Sequence, residues 1–550
     1  MTSASLGARA PNRSGLLLPR LSDRQFVALV SFVWFALAAF PLLLVEIPPL
    51  QDLPNHLATI SVLRHPELYP EFTSNGFAKT NSAFFLWLYA LAPKVGMGIA
   101  TKVFVAGLVG LNAFVFSSRV FAHTRRRSAV VLGALFAFPL AHNWFVSAGM
   151  LDFALSVPLA FILLGLVDAQ GKVETTTDQS GSLRGVLMAV VALLTWYAHS
   201  MGLLIAGLLV AFHWLVGETW RGRRGQGFRL TLLPLAPAGL LVALSILSQV
   251  RSLAMDPAMS PPRFSAVWEV LYNFWAQTFW SFTKLSILSV VPCASLVVCA
   301  LFYGRAESAA LRRSVFASSG LIALVAIASV CPFVYDNWFH VNTRFFLFIA
   351  FALLLRLPRS IPKWLTGALV VSALSVSVGN AVDYVRLARE QTEFDNAIPK
   401  VAEGARLLPL VFKTKEVSEN TRNLIHAWGD YVVAKHTSAP LLFAHSRSFP
   451  VTYAALPPAR FNHLVLESTA ARLRSSKELC DLLVDRRSFV ATDCRATYDQ
   501  LWKEFWADAA PRFDHVLTWD ASEEALANIP RAYRLVHEEG RTRLYVRAEP

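Results

Sequence analysis

Apolar residues run through this chain in long blocks separated by short polar stretches up to about residue 381; beyond that point they come in strand-length pieces. The blocks are 26–45, 83–97, 100–121, 129–145, 150–168, 184–199, 201–217, 230–249, 285–303, 315–334, 344–356 and 364–381. Most approach the ~20 residues that a helix needs to cross a bilayer core. After Val382 charges are dense and of both signs. Arg406–Phe412, His515–Trp519, Tyr533–His537 and Thr542–Val546 there predict strands, the last two joined as a hairpin through Glu538–Arg541, and Asn423–His436 and Glu523–Ile529 predict helices. The pattern predicts a polytopic α-helical membrane protein of about 11–12 spans with a C-terminal soluble α/β domain. Residues 1–25 form a disordered cytoplasmic leader, 26–381 a membrane domain with a long external loop at 46–82, and 382–550 a soluble extracytoplasmic domain.

Composition agrees with this division. The 550 residues are 55% hydrophobic and 16% charged, against roughly 25% charged in an average soluble domain. The net charge of +14 is topological. It gathers in short loops between apolar blocks, at Arg119 with Arg125–Arg127, Arg221 with Arg223, Arg224 and Arg229, Arg305 with Arg312 and Arg313, and Arg356 with Arg359 and Lys363. Cytoplasmic loops of membrane proteins carry such an excess, whereas a nucleic-acid binder collects its cations on one soluble face; nucleic acid is not expected as a partner. Counting outward from these loops places 143–152, 251–284, 335–342 and everything after 382 on the far side. Parity fails once, because 83–121 must cross an odd number of times yet holds two blocks. The weaker block, 83–97, contains Pro93 and Lys94 and fits a re-entrant or interfacial segment; the other solution puts Arg125–Arg127 outside. Cys480 and Cys494 fall in the tail and can pair if it lies outside the cytoplasm. Trp268, Tyr272, Trp275 and Phe279 recur on one helical face, as an interfacial aromatic belt or as a wall for sugar or lipid.

Candidate chemistry starts just past the first apolar block. Ile47-Pro48-Pro49-Leu50-Gln51-Asp52-Leu53-Pro54-Asn55-His56 ends one helix at its prolines and starts another, with Pro54 in the first turn. Asp52 is placed either to cap this surface helix or to act on a substrate, with Asn55 and His56 beside it. Further along, Arg344 opens a strongly apolar block after His340, and intramembrane cations rarely face lipid. Asp152 stands at the outer start of its block, where it caps that helix or lines a cavity. His199 interrupts an apolar hairpin as a turn residue or a site residue. His426 and Asp430 share a helical face of the kind usually found on a surface.

A first span, a long external loop opening with an acid, many further spans and a C-terminal soluble domain resemble the GT-C superfamily of integral-membrane glycosyltransferases. The resemblance covers the whole chain as architecture and rests, as motif, on Asp52 and its neighbours. It implies transfer of a sugar from a polyprenyl-phosphate donor to a glycan, lipid or protein acceptor at the outer face of a bacterial-type inner membrane. Asp52 takes the place of the acid that deprotonates or orients the acceptor hydroxyl, with His56 to orient the acceptor or contact the phosphate and Asn55 beside it. Arg344, with His340, matches the basic residues that such enzymes place in late external loops to hold the leaving phosphate, and Lys284 is a weaker second choice. Where metal-dependent members carry an Asp-x-Asp pair, position 54 here is Pro, and the nearest other acids are Glu46 and Glu67. No metal or cofactor is therefore expected, and inverting transfer with Asp52 as base is the leading reading. Two other functions compete with it. A transporter or flippase of lipid-linked intermediates predicts two halves with matching broken spans. A non-catalytic protein of the same fold, serving envelope assembly, predicts that Asp52 and Arg344 are dispensable.

Overall fold

The computed structural model describes residues 21–548 apart from 172–178, 218–220, 254–261, 304–307, 336–337, 359, 414–417, 445–448, 462 and 486–493. Almost all of the expected leader, and Arg305, Asp336, Asn337 and Arg359, lie outside the described residues. Each apolar block is helical. Among the described residues, seven helices are long and apolar enough to cross a membrane (Asp23–Leu43, Met97–Thr124, Arg127–Ser147, Leu151–Gln170, Arg224–Leu247, Lys284–Phe302 and Lys363–Lys400), and five shorter apolar helices accompany them. The protein is an integral membrane protein.

The block that broke the parity forms the short helix Ala83–Val95. Its 13 residues rise about 20 Å, two-thirds of the ~30 Å hydrocarbon core. Gly96, at φ +82°, turns it straight into the helix Met97–Thr124. At the other extreme, Lys363–Asp395 runs unbroken for 33 residues, about 50 Å. The composition shift at 382 therefore falls inside a single helix that leaves the apolar layer and carries the chain into the tail.

The tail is built on a sheet of β4 (Leu407–Val411), β6 (His515–Trp519), β8 (Thr542–Arg547) and β7 (Tyr533–Glu539), in that spatial order. β4 and β6 are parallel, and the other two pairings are antiparallel. All five residues of β4 and of β6 are buried, as expected of strands covered on both faces. The predicted β7–β8 hairpin is present. Its Arg541 reaches back to Glu390 and Glu393 on the long helix and lies over the Trp519 ring at 4.3 Å. Cys480 and Cys494 are joined as a disulfide.

The first external loop belongs to both halves. The helix Leu53–Arg64, expected at the surface, is buried continuously from Leu53 to Val62. Leu53, Leu57 and Ile60 join the membrane core, while Ala58 and Val62 join the tail core. Farther along the loop, β1 (Phe72–Ser74) pairs with the tail's β5 (Val451–Tyr453), antiparallel. Two strands of a small hairpin, β2 (Val334–Tyr335) and β3 (Trp338–Phe339), complete the set. The aromatic stripe at 268–279 divides. Trp268 and Tyr272 are exposed at 69% and 51%, whereas Trp275 stacks on Trp280 and Phe279 is buried.

Close approach of the halves depends on Gly429, because a Cβ there would stand 2.3 Å from the Pro54 carbonyl oxygen and 3.0 Å from the Asn55 nitrogen. Backbone cannot yield as a flexible side chain can. Gly429→Ala is expected to cost about 3 kcal/mol, the upper end for overpacking. A lower melting temperature, and faster proteolytic release of the tail from protein in membranes, would be the measured signs.

Candidate active site

A cavity of about 500 Å³ opens where the first loop, the membrane helices and the tail meet. Asp52, His56, Asp152, His340 and Arg344, drawn from three separate stretches of sequence, all line it. Two of the expected residues do not. Lys284 has a largely exposed side chain paired with Glu419 at 3.6 Å and lies off the cavity wall. Asn55 is fully buried and ties the loop helix to the tail, donating to the Leu441 carbonyl (3.1 Å) and accepting from the Phe443 amide (3.3 Å).

Asp52 occupies the N-cap position, yet its side chain makes no capping bond. The backbone instead pins the residue, since the Gln51 and Asp52 amides donate to the Ser147 and Ala148 carbonyls at 3.0 and 3.1 Å. Gly149, at φ +83°, lets this happen, as a Cβ there would come within 2.9–3.2 Å of Asp52. With capping excluded, Oδ1 of Asp52 accepts from the side-chain Nε2 of Gln51 (3.1 Å) and from Nδ1 of His426 (3.0 Å). Oδ2 receives no hydrogen bond among the described residues. Nε2 of His426 faces Oε1 of Glu467 at 3.2 Å. Burial drives the His426 imidazole down, but its two carboxylate partners outweigh burial and raise it to about 9. It is thus an imidazolium at neutral pH.

His426 corrects the sequence reading. Far from being a surface group, it is 4% exposed. Its supposed partner Asp430 bonds Gln391 at 2.6 Å instead. The turn Asn423–His426 is fixed to the membrane half by Trp144, which donates to the Asn420 carbonyl (2.8 Å), and by the Arg422 amide, which donates to Gln51 (2.8 Å). Asn423 adds a bond to the Pro49 carbonyl. His56 packs edge-on to Phe85 at 4.9 Å and donates from Nε2 to the Gly149 carbonyl at 3.2 Å. Burial pushes it down to about 4. It is neutral, and its Nδ1 lone pair is buried with no partner among the described residues.

Arg344 carries the positive charge at the membrane end of the cavity. It is 7% exposed, donates to Nε2 of His199 at 2.8 Å and lies over the Phe153 ring at 4.9 Å. Its Nε is buried without a partner, and no carboxylate pairs with it among the described residues. A guanidinium so placed has two faces of its donor fork to offer an anion. His340 adds no charge, because burial, with Arg344 and Arg422 nearby, pushes it down to about 3. Its ring bonds Gln277 at 2.7 Å and packs on Trp144. Asp152 caps, but not its own helix: Oδ1 accepts from the Phe84 amide at 2.9 Å, holding the start of the short helix Ala83–Val95 beside the cavity.

The arrangement therefore sets a carboxylate with one open oxygen and a buried guanidinium, without a carboxylate partner among the described residues, on the wall of one chamber. No family model and no curated protein matches the chain. Among solved structures it is similar to two cryo-EM structures of the arabinofuranosyltransferase AftD from mycobacteria. The likeness covers 96% of this chain at 15% and 14% identity, with TM-scores of 0.49 and 0.48. The chain spans about two-fifths of the length of that protein, 42% and 40% in the two structures.

The His426 ion cluster predicts how tail docking responds to alkali. Its folded value lies above the ordinary 6.5, so its contribution is whole below pH 6.5 and is lost as the pH rises through about 9. Limited proteolysis of the protein in membranes should cut between the halves faster at pH 10 than at pH 7, and His426→Gln should remove most of that difference.

Proposed function

We propose that the protein is a glycosyltransferase that moves a sugar from a polyprenyl-phosphate donor to an acceptor hydroxyl. The observation that supports this best is the single cavity shared by Asp52 and Arg344. Oδ2 of Asp52 would take the acceptor proton as the acceptor oxygen attacks the anomeric carbon. The bond from that carbon to the phosphate oxygen breaks, the phosphate leaves with the electron pair, and Arg344 stabilises the charge it gains. Attack from the side opposite the phosphate inverts the anomeric centre. Neutral His56, with its open Nδ1, would accept a hydrogen bond from an acceptor or sugar hydroxyl. Asp52 and Glu467 are both committed to an imidazolium, a poor arrangement for gathering oxygen ligands around a divalent cation, so no metal enters this scheme.

Topology supports the external face. Arg119 and Asp168 pair at the far end of the helices that carry them, and Asp168 lies 16 residues, about 24 Å, along its helix from Asp152. The basic loop that follows Arg119 thus sits at the end opposite the cavity, and an excess of loop cations marks the cytoplasmic side. The cavity and the tail would then face outward, where a lipid-linked donor and an envelope acceptor meet.

The test uses full-length protein in liposomes supplied with polyprenyl-phosphate-linked arabinofuranose, mannose or glucose and with envelope glycan fragments. The readout is release of polyprenyl phosphate coupled to sugar transfer. Wild type should turn over at least one donor. Asp52→Asn should lose roughly 10²–10⁴-fold, the usual contribution of a general base. Arg344→Gln should lose on the order of 10²–10³-fold, as when one oxyanion donor is removed. Turnover of none of the three donors, or an Asp52→Asn protein with wild-type turnover, would sink the reading.

A further inference from the structure

One cluster of charged side chains on the cavity wall joins the first loop to the tail, and two of its three members come from the tail. We infer that Glu467 and His426 form with Asp52 a carboxylate–imidazolium–carboxylate relay that orients and charges the base, so that the soluble domain supplies positioning residues for chemistry at the membrane surface. The inference rests on the reading of Asp52 as the base.

The three side chains form one continuous chain of contacts. Asp52 sits at the head of the loop helix, His426 on the turn Asn423–His426 and Glu467 on the helix His463–Arg472. Contacts of 3.0 and 3.2 Å use both ring nitrogens. The side chains of Asp52, His426 and Glu467 are 11%, 6% and 12% exposed. Phe443 packs edge-on to the His426 ring at 4.8 Å and to His56 at 6.1 Å, closing off the imidazole from the side. The other titratable or charged groups on this part of the wall are His56 on the loop helix, Arg422 on the tail segment and His463 on the helix of Glu467.

Charge arithmetic explains why three groups are needed. An aspartate alone, buried here, would be a bare anion in a poorly solvating site. Aspartate with imidazolium alone is neutral and offers no net charge to an incoming proton. With Glu467 the cluster carries one net negative charge, and Oδ2 of Asp52 is the oxygen left facing the cavity. During transfer the acceptor proton goes to Oδ2, while the imidazolium N–H stays on Oδ1 and fixes the carboxylate plane. The proton then leaves Asp52 to water through the cavity. No further reactant is required.

Glu467→Gln tests this, because the amide oxygen can still accept from Nε2 of His426 while the charge is gone. With full-length protein and whichever of the three donors wild type uses, kcat should fall roughly 10²-fold with KM unchanged, less than the ~10⁴-fold loss on neutralising the carboxylate of a hydrolase triad. The alkaline limb of the pH–rate profile should also move to lower pH, since an imidazolium that loses an anion gives up its proton sooner. Glu467→Asp, which keeps the charge, should keep the limb near its wild-type position, and it serves as the folding control through its melting temperature. An unchanged kcat and limb in Glu467→Gln, or a raised KM with unchanged kcat, overturns the relay. The two readings separate cleanly. If Asp52→Asn is inactive while Glu467→Gln behaves as wild type, only the relay fails; if Asp52→Asn is active, the base assignment fails with it.

Discussion

The helix Leu53–Arg64 has no face left for solvent, and the rest of the site follows from that constraint. A helix twelve residues long that is buried between two cores must be polar only where a partner awaits it. Asn55 finds the backbone of Leu441 and Phe443, and Thr59 bonds back to the Asn55 carbonyl at 3.0 Å. Tyr69, past the end of the helix, donates to the Val432 carbonyl at 3.0 Å. The Asn55 and Tyr69 bonds fix the tail against the first loop, and together they help set the register in which His426 meets Asp52. An unpaired buried polar group costs about 1–3 kcal/mol, so a tail that shifted by even one hydrogen-bond length would lose several such terms at once. The cleft is consequently held in one docking geometry.

Much of this architecture was legible in the sequence. Apolar block length identifies spans because backbone groups in lipid must be satisfied within the segment, and every block became a helix. The β7–β8 hairpin announced itself through alternation and Glu-Glu-Gly-Arg. The placement of Asp52, His56, Asp152, His340 and Arg344 around one cavity was also foreseeable in outline, since all five were assigned to one side of the membrane. Partner identity was not legible. His426 is 374 residues from Asp52, and a histidine near an aspartate on a short helix carries no sign that both will be buried. Glu467 gave no local signal at all. Asp152 shows the same limit in another form: its position at a helix start suggested a cap, and capping is what it does, but for a helix 68 residues earlier in the chain. Local rules gave the type of interaction, while the partner was decided by tertiary packing.

The two ends of the cavity are arranged on opposite electrostatic principles, and this decides how the site could favour a transition state over its ground state. At the tail end, two carboxylates share one imidazolium through short contacts, leaving one net negative charge and a single open oxygen on Asp52. At the membrane end Arg344 is buried beside a histidine and a phenylalanine ring, with no counter-ion among the described residues. Burying a cation without its partner is expensive, and the deficit is recovered only when an anion arrives. In the proposed reaction a phosphodiester carries one negative charge and the departing phosphomonoester approaches two, so Arg344 would gain most as the sugar–phosphate bond breaks. Interactions that strengthen along the reaction accelerate it, whereas those equal in both states only tighten binding. The structural cost of an uncompensated guanidinium thus becomes, in a phosphate-leaving reaction, the source of its selectivity for the charge that develops.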